Sequence, residues 1–177
     1  MKKFILFFLL LIPVTGIAQS YVFAPEIKFN ERPGLDSVKV SVVFQDNRTY
    51  TRKLNERCTK DELFQIFAGY IQKSLPGVSL NVLEEERYND EPQQGVVTLK
   101  INLLKYESVL MNTVYIAPTK YKVVLTDNRG EPKEFSETIT IEARQMNTLG
   151  HKSGQIAANT SFRKALEKLI LMFDKLQ

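Results

Sequence analysis

Val38-Lys39-Val40-Ser41-Val42-Val43-Phe44-Gln45-Asp46 is the stretch on which the fold turns. Val38, Val40, Val42 and Phe44 alternate with Lys39, Ser41, Val43 and Gln45, the two-residue period of a strand with one face in a core, and Asp46-Asn47 ends it. Thr49 to Leu54 reads as a short second strand whose Arg and Lys content places it at an edge. Then comes a helix with a recognisable start. Thr59 and Glu62 have the spacing of a capping box, and Asp61 suits the positive end of the helix dipole. Leu63, Phe64, Phe67, Tyr70 and Ile71 recur at threes and fours, one stripe toward a core, until Pro76-Gly77 stops the helix. Val78, Leu80 and Val82 alternate again, so strand, helix and strand form a crossover whose two strands run parallel if they are neighbours.

Downstream the chain reads as strands in quick succession. After an acidic, proline-containing loop from Glu84 to Gln94, Val97, Leu99, Ile101 and Leu103 alternate. Thr113 to Ile116 extends the sheet before Pro118 interrupts it. Tyr121, Val123 and Leu125 form the next buried face, Asp127-Asn128-Arg129-Gly130 supplies turn chemistry, and Phe135, Ile139 and Ile141 lie on the return strand of a hairpin. The last element is an amphipathic helix. Ala158, Phe162, Ala165, Leu166, Leu169, Ile170, Phe173 and Leu176 keep helical spacing opposite Arg163, Lys164, Glu167, Lys168 and Asp174, while Leu171 and Met172 widen the apolar stripe. Together these elements predict an α+β domain: a mixed, mainly antiparallel sheet with two helices packed on one face, in the order β-α-β-β-β-β-α.

Upstream, residues 1–18 have the three zones of a secretory signal peptide: Lys2 and Lys3, the apolar run from Phe4 to Val14, and small residues at Gly16 and Ala18, with cleavage expected after Ala18. That run is too short for a bilayer span, which needs about 20 apolar residues. No other segment is long and apolar enough, so no transmembrane segment is expected after cleavage. Residues 19–36, with Pro25 and Pro33-Gly34, form an extended lead-in, and residues 37–177 a single domain. Export out of the cytoplasm is therefore expected.

Charge and chemistry exclude more than they assign. Losing Lys2 and Lys3 lowers the net charge from +4 to +2, and the remaining cations are scattered among acids, so no nucleic-acid partner is expected. One cysteine excludes an internal disulfide framework. His151, the only histidine, lies in a Gly- and Ser-rich loop ahead of the last helix and reads as a solvated loop residue. Cys58 precedes the capped helix, where a thiol pKa would be lowered, but a catalytic role would need a base or a second thiol and a structural thiol is the simpler reading. One His and one Cys cannot build a zinc cage, and Glu84-Glu85-Glu86 with Asp90 and Glu91 lacks the ligand spacing of a calcium loop. No catalytic residue, cofactor or metal is therefore expected. Alternation instead gathers Lys39, Ser41, Thr98, Lys100, Asn102 and Lys122, with Thr126, on the sheet face away from the helices, an uncovered polar surface for a partner.

The first strand ending in Asp46-Asn47-Arg48, the helix from Thr59, the later strands and the terminal helix from Ser161 resemble the YajG-like and ABC-transport-auxiliary lipoproteins of the Gram-negative envelope, over about residues 36–176. The resemblance implies a non-enzymatic envelope protein that assists transport or assembly by binding partner proteins or lipid. This chain departs from it in lacking a lipidated cysteine at the cleavage point, since Cys58 lies far downstream. The expectation is an exported partner-binding or assembly module meeting an envelope protein or transporter component. A carrier of lipid or another small molecule is the alternative, and a small exported hydrolase using His151 or Cys58 comes behind it.

Overall fold

The structure is a computed structural model that describes Leu35 and residues 38–48, 59–83 and 93–177. Residues 1–34, the Thr49 to Leu54 segment, Cys58 and the Glu84–Glu91 acids all lie outside the described residues. The elements run β1 (Lys39–Asp46), α1 (Lys60–Ser74), β2 (Ser79–Leu83), β3 (Val97–Tyr106), β4 (Val109–Met111), β5 (Val114–Asp127), β6 (Lys133–Met146) and α2 (His151–Leu171), closed by a 3-10 turn over Met172–Leu176. The expected α+β architecture with a mixed sheet is the one observed.

β1 is parallel to both β2 and β3, so the strand–helix–strand unit does place parallel strands side by side. β3, β5 and β6 are antiparallel in turn. β6 pairs with β5 along its full length, from Val114 to Asp127. The opposite edge of β5 is shared, β3 taking Thr119 to Asp127 and β4 taking Val114 to Ile116.

That sharing corrects the reading of Pro118 as an interruption. β5 runs through it unbroken, because the ladder on the β3/β4 side lapses between Thr119 and Ile116 and a residue without an amide proton is tolerated there. A second correction is β4, a strand too short to show a period. Its turn into β5 relies on Asn112, which adopts φ 56°, a left-handed conformation that asparagine tolerates better than most residues. A third concerns the last helix. It begins at His151, so that residue is not in a loop, and it tightens to 3-10 at Met172, which buries Met172 and Phe173 while leaving Leu171 out in water.

α1 starts as its sequence requires. Thr59 Oγ1 accepts from the Glu62 amide at 3.2 Å, and the Glu62 carboxylate accepts from the Thr59 amide at 3.2 Å. Both helices cover one face of the sheet, where Val42, Leu99, Leu125 and Ile139 are buried. Phe67 of α1 and Phe162 of α2 meet over Tyr121 of β5: ring centroids lie 5.1 Å apart for Phe67 and Tyr121 and 5.4 Å for Phe67 and Phe162. Phe44 and Tyr106 extend the cluster, each 5.1 Å from one of those two phenylalanines. Each such ring withdrawn from water contributes roughly 1.5–3 kcal/mol. α2 approaches the sheet closely because it presents Ser153, Gly154, Ala157, Ala158, Ser161 and Ala165, all buried.

Candidate functional site

Strand register settles which side chains share the face opposite the helices. Ser41 stands beside Thr98 and Thr98 beside Thr126; Val43 beside Lys100 and Lys100 beside Val124; Gln45 beside Asn102 and Asn102 beside Lys122. Lys39 precedes Ser41 by one pleat. Thus Lys39, Ser41, Thr98, Lys100, Asn102 and Lys122 occupy one face, which β6 continues with Ser136 and Thr138.

Their accessibility differs from the uncovered polar surface the alternation suggested. Lys39 and Lys122 are exposed and Lys100 and Asn102 half-buried, but Ser41 and Thr98 are only 3% and 5% accessible and Val43 2%. Alternation assigns a side chain to a side of the sheet. It does not say how tall the neighbours are, and short side chains on central strands sink between longer ones. Ser41 and Thr98 therefore belong to the floor of this face and not to its contact surface. Asn102 adds a feature that alternation could not show: its Oδ1 is buried with no hydrogen-bond partner.

The face is cationic and rich in hydroxyl and amide groups. Lys105 stands beside Lys120 across the β3–β5 ladder, and its ammonium is held by Glu107 at 2.9 Å. Acids on this face, Glu134 and Glu142, lie on β6 at its margin. At the foot of the sheet, Arg129 grips Asp127 through Nε at 2.8 Å and Nη2 at 2.8 Å, and Nη2 also donates to the Leu176 carbonyl at 2.7 Å. Hydrogen bonds from the guanidinium are the main cause holding the Asp127 carboxyl below the usual carboxylate range. Arg48 grips Asp46 in the same way at the end of β1. Asp-Asn-Arg is thus a strand-ending device used twice, which is its role in both places.

His151 is exposed on the first turn of α2. Among the described residues no three His, Cys, Asp or Glu side chains are grouped so as to hold a metal ion, and no helix is long and apolar enough to cross a membrane. What the sheet face can do chemically is bind: it offers ammonium groups, amides and hydroxyls to an anionic or hydrogen-bonding surface.

No protein-family model matches the chain, and no curated protein matches it. Among solved structures, a Xanthomonas campestris protein of the family DUF330 is similar to it at 12% identity and a TM-score of 0.54, over 86% of this chain and 93% of that one. The two share a fold. A hypothetical protein from Chlamydia trachomatis is similar at 10% identity and a TM-score of 0.47, over 77% of this chain and 95% of that one. A lipoprotein from Neisseria meningitidis is similar at 11% identity and a TM-score of 0.44, over 78% of this chain and 99% of that one. Identities this low carry no residue role across, because one fold hosts unrelated functions.

Proposed function

We propose that this chain is an exported protein of the bacterial cell envelope that works by docking a partner protein, not by catalysis. The observation that carries the reading is the single face shared by Lys39, Lys100, Asn102 and Lys122, on which Glu134 and Glu142 lie on β6 at the margin. The leader-like segment at residues 1–18 supports export. A transporter or assembly component presenting a complementary acidic surface is the partner class this face fits. The space between sheet and helices is filled by the rings of Phe44, Phe67, Tyr121 and Phe162, which weighs against a lipid carried inside the domain.

Cross-linking in intact cells, followed by recovery of the tagged protein and mass spectrometry, tests the reading. One envelope protein should be recovered with the parent chain and lost when Lys100 and Lys122 are both changed to Glu. Unaltered recovery in that variant, or recovery of a stoichiometric small molecule in place of a protein, overturns it.

A further inference from the structure

Among the described residues β6 is the one long strand whose outer edge no other strand covers. The other strands at the ends of the sheet, β2 and β4, have five and three residues, whereas β6 has fourteen. The unpaired amides and carbonyls of an edge are a template for a further strand, and folds ordinarily shorten such an edge, bulge it or interrupt it with proline. β6 uses none of these devices: it contains no proline or glycine and pairs with β5 from end to end without a shift of register. Its centre, Thr138-Ile139-Thr140-Ile141, is β-branched throughout, a composition that favours strand pairing. Apart from Ile139 and Ala143, every one of its residues is exposed or half-buried.

The charges along β6 suit a second copy of the same strand. Two antiparallel strands related by a two-fold axis match residues at equal distances from the centre, with matched side chains on one face. With the axis at Ile139, Glu134 of each copy stands opposite Arg144 of the other and Thr138 opposite Thr140, all on the face away from the helices. Opposite charges and threonine pairs set across two strands both favour the pairing. Other centres lose the match. An axis at Thr138 opposes Glu134 to Glu142, an axis at Glu137 or Glu142 opposes that glutamate to itself, and an axis at Thr140 or Ile141 brings no two opposite charges together. In the single copy Arg144 is well exposed and Nε holds Glu142 at 2.8 Å, which leaves the terminal amino groups of the guanidinium for a second carboxylate.

We propose that β6 pairs with β6 of a second copy, antiparallel about Ile139, joining two sheets edge to edge in a homodimer. A second copy fits better than an unrelated strand because the complementary charges, Glu134 and Arg144, are placed symmetrically about one residue of the same strand. A two-fold axis normal to the sheet keeps both helical layers on one side and both outer faces on the other, so that Lys39, Lys100 and Lys122 of the two copies are presented in the same direction. The contact is made by an edge of the sheet and does not depend on the docking role of that face.

Sedimentation equilibrium of the full chain carrying Cys58→Ser, which removes any disulfide dimer, should show monomer and dimer in exchange. Glu134→Arg alone and Arg144→Glu alone should each weaken the dimer about tenfold or more, and the two together should restore it, since the swapped charges meet again across the axis. Nitroxide labels fix the register: labels at Ser136→Cys should lie about 20 Å from their equivalents, and labels at Thr138→Cys close enough for strong dipolar broadening. A chain that stays monomeric at every concentration, a dimer indifferent to the single substitutions, or one that the double substitution fails to restore overturns the proposal. So does slow hydrogen exchange along the outer edge of β6 in a monomer, which would mean that the same chain covers it. The Lys100→Glu, Lys122→Glu chain that tests the docking face leaves Glu134 and Arg144 untouched, so the two readings fail separately.

Discussion

Gly154 of α2 lies so close to Tyr115 of β5 that a Cβ built on it would sit 2.7 Å from Tyr115 Cε1. Tyr115 is buried, so its ring has little room to retreat. Gly154→Ala should therefore destabilise the fold by about 1–2 kcal/mol in urea unfolding, overpacking outweighing the roughly 1 kcal/mol that alanine gains in a helix. Gly69, in α1, has nothing within 4 Å of its Cβ position. Gly69→Ala should stabilise by roughly 0.5–1 kcal/mol, and an equal response at both sites would show that α2 is not pinned by Tyr115.

Thr119 of β5 and Ser161 of α2 share a buried hydrogen bond between their hydroxyls, 42 residues apart in the chain. Thr119→Val removes one hydroxyl and orphans the other, at an expected cost of about 1–3 kcal/mol. The Thr119→Val, Ser161→Ala double variant should lose less than the two single losses combined. Strict additivity in that cycle would mean that the hydroxyls do not interact.

Tyr121 shows the opposite arrangement: its hydroxyl is buried without a partner, and burial is the first cause pushing its pKa well above 10.0. Tyr121→Phe should be neutral or stabilising by about 1 kcal/mol, since it deletes an unsatisfied group and keeps the ring against Phe67 and Phe162. The sign with pH follows from the upward shift. The neutral phenol's contribution is complete below the unfolded value and fades as pH rises through the folded one. Parent and variant should diverge above about pH 10, the parent losing stability that the variant keeps, and parallel alkaline unfolding curves would contradict this.

Asp127 behaves in the reverse sense. Its carboxyl is held below 3.8 chiefly by the Arg129 hydrogen bonds, so the stability it contributes is present above that pH and is lost as pH falls through the depressed folded value. Asp127→Asn should flatten the loss of stability between about pH 4 and pH 2, followed by circular dichroism. Arg129→Ala should do the same and also loosen the C-terminal turn, because it removes the donor to the Leu176 carbonyl. Faster hydrogen exchange over Met172–Leu176 is the signature.

The pattern of recognition in the sequence follows the range of each interaction. The capping box of α1 is written in Thr59 and Glu62, three residues apart, and was legible because all its parts are local. So were β1, β3 and the β5–β6 hairpin, whose periods are carried by consecutive residues. Pro118 was misread because the breaker's effect depends on what lies opposite it. β3 and β4 happen to leave that part of the edge unpaired. The candidate face was legible as a set of side chains on one side, since alternation fixes sidedness. It was not legible as a surface, since Ser41 and Thr98 are buried in the fold, and burial depends on neighbours that no local period names.

By itself the sequence determined most of the elements, their polarity and their caps. Those properties depend on residues within a few positions of one another, whose backbone and side-chain preferences act before the chain is compact. Tertiary structure alone decided that Thr119 meets Ser161 and that β1 lies parallel to both β2 and β3. Packing and strand register bring together residues that no local period links, and it is there that the surfaces offered to partners are made.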